Sequence, residues 1–146
     1  MAGWLIVLVL VNPLAVTTER ATIPAVLQVV FNEISAAEIS QLDTLLQLEL
    51  LSQFKVTPED LDKLDGDRFG KLEREGKTLY RYRSKDYRIY FEVENGGVKV
   101  HRVLHKNTVQ DFLFRSKLNF TEDEALSQSK TFWKLIEEGE RAKVVR

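Results

Sequence analysis

LYRYRSKDYRIYFEVENGG, residues 79–97, sets rings and cations in alternation: Tyr80, Tyr82, Tyr87 and Tyr90 are interleaved with Arg81, Arg83 and Arg88. A period of two is the mark of extended chain, because successive side chains on a strand leave opposite faces. On a strand from Lys77 to Ser84, Arg81 and Arg83 share one face and Tyr80 and Tyr82 the other. On a second strand, from Tyr87 to Glu94, Tyr87, Ile89, Phe91 and Val93 form an apolar face and leave Arg88, Tyr90, Glu92 and Glu94 opposite. Asn95, Gly96 and Gly97 then turn the chain, since a tight hairpin needs positive φ, which Gly and Asn accept cheaply. Val98 to Lys106 is the third strand of this meander.

Outward on the N-terminal side, Ala25 to Phe31 (AVLQVVF) follows Pro24 and reads as a first strand. The period then changes. Apolar residues from Ile34 to Phe54 recur at helical spacing, with Ser35 and Glu38 placed as a capping box and Asp43–Thr44 as a break between two helices. Thr57, Pro58, Glu59 and Asp60 start another helix, and Asp65, Gly66 and Asp67 end the helical part. On the C-terminal side, a short helix runs from Thr108 through Phe114 and Arg115. After polar residues from Thr121 to Glu124, Ser127 to Lys143 forms an amphipathic helix carrying Phe132, Trp133, Leu135 and Ile136. The order strand, helices, three antiparallel strands, helix is α+β. Phe91, Val93, Leu46 and Leu50 are the expected core.

The chain has 146 residues and no cysteine, enough for one buried core and without disulfides, thiolate metal sites or a cysteine nucleophile. Its two histidines, His101 and His105, lie four apart on one strand, too far to chelate together, so no metal ligand and no cofactor is assigned. Trp4 to Val11 is apolar but far shorter than the roughly 20 residues of a membrane span. Residues 1–24 therefore read as an extension ahead of the domain, with no stable membrane insertion. The formal net charge is −1, yet Lys71 to Leu118 holds twelve basic against six acidic residues. Guanidinium binds phosphate oxygens with a paired fork, and tyrosine can stack on an unpaired base, so this stretch is a candidate RNA surface. The alternative from the same residues is an ordinary solvated sheet on which Arg81, Arg83 and Arg88 pair with Glu92, Glu94 and Glu75.

The segment LYRYRSKDYRIYFEVENGGVKVHRVLHKNTVQDFLFR resembles the RelE/ParE superfamily of bacterial toxins. The resemblance rests on R-x-R at Arg81 to Arg83, on Asp86-Tyr-Arg-Ile89, on the hairpin, and on a strand ending near a histidine or basic residue before a short helix. It spans about Val26 to Lys117, and it implies a toxin domain at 25–118 with N-terminal strand and helical hairpin packed on an antiparallel sheet, and a helical extension at 119–146. The RelE branch implies a cytoplasmic endoribonuclease of a type II toxin–antitoxin system, cleaving mRNA on the ribosome by attack of the 2′-hydroxyl on the adjacent phosphate and so repressing translation.

On this resemblance Arg88 contacts the scissile phosphate and Arg81 activates the nucleophile or stabilises charge. His105 donates a proton to the leaving oxygen and Lys106 neutralises phosphate charge, with Arg83, Lys85, Tyr82 and Arg102 holding RNA. The implied partners are a cognate antitoxin protein, mRNA and the ribosome. Two positions depart from the pattern: Phe112, Leu113 and Phe114 stand where some members carry a tyrosine, and Asn107 where some carry an arginine. Because fold does not fix function, two other classes stay open: a ParE-like inhibitor of DNA gyrase without nuclease activity, and a domesticated protein-binding module.

Overall fold

The computed structural model describes residues 26–113 and 121–145; the apolar extension 1–24 and the position Phe114 lie outside them. The elements run β1 (Gln28–Asn32), α1 (Glu33–Ser40), α2 (Thr44–Gln53), α3 (Pro58–Asp62), β2 (Phe69–Arg74), β3 (Lys77–Ser84), β4 (Tyr87–Glu94), β5 (Gly97–His105), α4 (Lys106–Leu113), α5 (Glu122–Ser127), α6 (Lys130–Arg141) and β6 (Val144–Val145). The fold is α+β. Six strands form one sheet in the order β2-β3-β4-β5-β1-β6, antiparallel except where β1 lies parallel to β5, with Gln28 opposite Gly97. None of the described helices is long and apolar enough to cross a membrane.

Local chemistry sets the element ends. Glu75–Gly76 and Asn95–Gly96 both take positive φ, at 52° and 80° and at 52° and 74°, so each closes its hairpin in two residues. Thr57 and Asp60 form a capping box at the expected start of α3, and Asp43 caps α2 by accepting from Leu46 N–H at 3.0 Å. The cap of α1 is three residues earlier than expected. Asn32 accepts from Ser35 N–H at 2.7 Å while Asn32 N–H donates to Ser35 Oγ at 3.1 Å. Glu38 is thereby free to bind Arg102 across the sheet.

The largest departure from expectation is at the C-terminus. Thr121 to Glu124 is not a spacer: Thr121 caps α5, and Ser129 opens α6 by accepting from Phe132 N–H at 3.2 Å. These helices are a structural layer, not an appendage. On one face of the sheet, α1 to α3 and the Val56 loop cover Phe69, Tyr82, Ile89, Phe91, Val98, Val100 and Val103. On the other, Val109, Leu126, Phe132, Trp133 and Ile136 cover Leu72, Leu79, Tyr90 and Leu104. Residues 121–145 therefore supply most of what shields this second face of the sheet, and β6 extends it beside β1.

Leu50 and Phe91 are core as expected, Leu46 is half-buried, and Val93, near the hairpin end of β4, is 37% exposed. Close approach of α6 to β5 depends on Gly139, where an added Cβ would stand 2.4 Å from the carbonyl oxygen of His101. Gly139→Ala must push the helix off the strand, and overpacking of this kind destabilises by about 1–3 kcal/mol. A thermal melt coinciding with that of the native protein would show that this contact is looser than its geometry.

Candidate nucleic-acid interface

The alternation in β3 and β4 brings Arg81, Arg83 and Arg88 to the face covered by α5, and the register sets Arg83 directly opposite Arg88. The three differ in what they can still bind. Arg81 is fully buried. Its Nε donates to Asp123 Oδ1 at 3.1 Å and its Nη2 to Asp123 Oδ2 at 2.9 Å, a paired fork on a carboxylate. Its remaining donors go to the carbonyl oxygens of Gly66 at 3.0 Å and Asp67 at 2.8 Å. Gly70 makes room for the pair, since a Cβ there would lie 2.3 Å from the Arg81 guanidinium and 2.4 Å from the Asp123 carboxylate. Arg81 thus holds α5 and the turn at Gly66 onto the sheet, with no donor turned outward.

Arg83 and Arg88 share one carboxylate. Glu122 Oε2 lies 3.0 Å from Arg88 Nε and 3.8 Å from Arg83 Nη2. Arg88 Nη1 donates to the carbonyl oxygens of Lys85 and Tyr87, which fixes the plane of its guanidinium. Arg83 reaches Asp67 at 3.5 Å, and its buried Nε meets no acceptor among the described residues. Two guanidiniums converge on one carboxylate oxygen, with a donor to spare, so this is where the sheet seats an anionic group.

Beside this seat, the β3–β4 turn meets the junction of β5 and α4. Tyr87 faces His105 across the strands, with ring centroids 5.1 Å apart and edge-on. His105 Nδ1 accepts from Asn107 N–H at 3.0 Å, so the neutral imidazole carries its proton on Nε2. Lys106 is the first residue of α4 and not the last of the strand. Its Nζ lies 3.0 Å from Asp86 Oδ1, and this contact holds the Asp86 carboxyl below the usual carboxylate range. Lys85 is exposed and pairs with Glu49 of α2.

The structure therefore brings Arg83 and Arg88 together under α5, while Lys85, His105 and Lys106 lie around the β3–β4 turn at the same end of the sheet, Lys85 reaching α2 and His105 standing beside Tyr87 on the opposite face. It places the other nominated residues elsewhere. Tyr82 is buried on the opposite face, donating to the Gln53 carbonyl oxygen at 3.3 Å, and offers no ring to a base. Arg102 is held by Glu38 at 2.7 Å and by the Leu135 carbonyl oxygen at 3.2 Å, locking α1 and α6 to β5. Phe112 and Leu113 pack against the second core.

The acids that meet the arginines are Glu122 and Asp123 of α5, with Asp67 on Arg83, not the strand residues Glu92, Glu94 and Glu75. Their signal in the sequence was the acidic run Glu122–Glu124 placed before an amphipathic helix that needed a face to cover. Comparison of the chain with family models, curated proteins and solved structures returns no match.

Proposed function

We propose that the protein is a RelE/ParE-type toxin that represses translation by engaging mRNA at the ribosome, holding a phosphate between Arg83 and Arg88. The observation that carries this proposal is the Glu122 carboxylate shared by the two guanidiniums, 3.0 and 3.8 Å away. A phosphodiester displacing Glu122 would find two always-charged forks and the free Nε of Arg83, with His105 and Lys106 at the same end of the sheet but His105 beside Tyr87 on its other face. The reaction these groups serve is attack of a 2′-hydroxyl on the adjacent phosphorus, giving a cyclic phosphate and a free 5′-hydroxyl. In the tautomer set by Asn107, His105 donates a hydrogen bond from Nε2. To transfer a proton it must first become imidazolium and release the Asn107 N–H.

Purified protein added to translating ribosomes tests this. Arg88→Ala is expected to slow mRNA cleavage by two to three orders of magnitude, about 3–4 kcal/mol, as for other donors aimed at developing charge. His105→Ala is expected to slow it roughly a hundredfold. Glu122→Gln weakens the internal competitor and should tighten RNA binding. If mRNA stays uncut and gyrase supercoiling stops instead, the ParE-like function stands in its place.

A second function, protein association, is favoured by the outer face of α2. Leu45, Leu48 and Leu51 stand exposed there at one helical spacing, Leu45 by 78%. Leu51 borders a groove of about 980 Å³ that also includes Val29, Phe31, Ile39 and Val145. A cognate antitoxin is the partner this family would bring to such a face. If the native protein affects neither RNA nor gyrase, and Arg88→Ala and His105→Ala behave as it does, association stands as the function.

A further inference from the structure

On the same sheet face as the arginines, but under α6, a second polar cluster lies outside the proposed RNA surface. Its centre is His101, which is 1% exposed and, among the described residues, has no hydrogen-bond partner on either ring nitrogen. Buried imidazoles are ordinarily satisfied, so an unpartnered one marks a missing ligand or a functional constraint. His101 faces inward because of a β-bulge. Phe91 pairs with Val100 and Tyr90 with Arg102, leaving His101 as the extra residue of β5. Bulges of this kind re-aim a side chain.

The backbone around His101 is fixed from three sides. The Asn32 side-chain amide donates to the carbonyl oxygens of Val100, His101 and Gly139, at 3.1, 3.1 and 2.7 Å. The contact at Gly139 seats α6 so closely that Glu140 reaches the imidazole. Glu92 of β4 approaches from the other side, its Oε2 lying 3.4 Å from His101 Nε2. One donor atom each from Glu92, His101 and Glu140 lies within 4.8 Å of the others.

We propose that Glu92, His101 and Glu140 bind a divalent transition-metal ion of the Zn²⁺ class. Imidazole with two carboxylates is a donor set Zn²⁺ accepts, leaving a fourth position open. Zinc–ligand bonds of about 2.1 Å require donors roughly 3.4 Å apart, so the Glu140 side chain must close in by up to about 1.4 Å. The Lys77 ammonium now supplies the positive charge, paired with Glu140 and 3.4 Å from Glu92. Its side chain is one-third exposed and borders a solvent-open cleft with Glu137 and Trp133, so it can swing out as the ion enters. The His101–His105 spacing gave no hint of this site, because the partners come from a neighbouring strand and a distant helix.

Titration of the full chain with Zn²⁺ by calorimetry, and with Co²⁺ by its visible absorption, tests the site. One ion per chain is expected, with a rise in melting temperature. His101→Gln and Glu140→Gln should each weaken binding more than about 100-fold, since even outer-shell losses reach that scale. Lys77→Met removes the competing ammonium and should tighten binding, which keeps the test independent of whether the ligand variants fold. The site is overturned if neither the native chain nor Lys77→Met binds either ion, or if binding persists undiminished in His101→Gln.

Discussion

Arg81→Ala is expected to unfold the protein or leave it marginally folded, whatever becomes of its activity. The guanidinium is fully buried, clasps Asp123, and satisfies the carbonyl oxygens of Gly66 and Asp67. Its removal strands a largely buried carboxylate and two acceptors at once. Breaking a buried pair by deleting one partner costs about 3–5 kcal/mol, against a typical domain stability of about 5–15 kcal/mol. Chemical denaturation of Arg81→Ala beside Arg88→Ala checks this: the first should lose most of its stability, the second much less. A stable Arg81→Ala protein that had lost only RNA cleavage would return Arg81 to the chemistry the family resemblance implies. Replacing Arg81 and Asp123 together by apolar residues should recover part of the loss, because the charge left behind does the damage.

Phe91→Ala is the second large effect. Phe91 is fully buried in a ring cluster with Tyr80 at 5.7 Å, Phe54 at 5.5 Å and Phe69 at 6.3 Å, so it joins β2, β3 and the end of α2 to the central strand. A cavity left there is walled by rigid rings and closes poorly, which places the loss at about 3–5 kcal/mol. Val93→Ala, two residues along the same face, should change stability far less, because Val93 is 37% exposed. Equal losses for the two would contradict the way the cluster ends before the hairpin.

The period-two stretch made β3, β4 and their hairpin legible, down to which residues share a face, because alternation and Asn–Gly turn chemistry are local. The Asp43 and Thr57 caps were legible for the same reason. Strand β2 was missed: FGKLER has no β-branched residue and carries Gly70 in its interior. It pairs with β3 because Gly70 admits the Arg81–Asp123 pair, a tertiary reason invisible in the hexapeptide. The arginine face was expected open, and α5 and α6 cover it. That followed from treating 119–146 as an addition, when the apolar stripe of Phe132, Trp133 and Ile136 required a surface and the sheet had one apolar patch left, at Leu72, Leu79 and Tyr90. The candidate site was half legible. Arg83 and Arg88 meet at one carboxylate and Lys85, His105 and Lys106 lie at the same end of the sheet, while Arg81, Tyr82 and Arg102 hold the framework, since charge patterning cannot distinguish a guanidinium facing solvent from one facing a distant acid.

The parallel pairing of β1 with β5 bears on the order in which the chain assembles. The hairpins β2–β3, β3–β4 and β4–β5 join neighbours in sequence, whereas β1 waits for a partner that begins at Gly97. Closing so long a loop has an entropic cost that local hairpins avoid, so the meander should acquire protection first and β1 later. Pulsed hydrogen exchange during refolding would reveal the opposite order if β1 leads. On the ribosome the delay has a further effect. Asp123 and Glu122 emerge only after every strand of the meander, so the nascent sheet passes through an interval in which Arg81 and Arg88 lack the carboxylates that pair with them in the folded protein, and the surface that α5 will close stands open to polyanions.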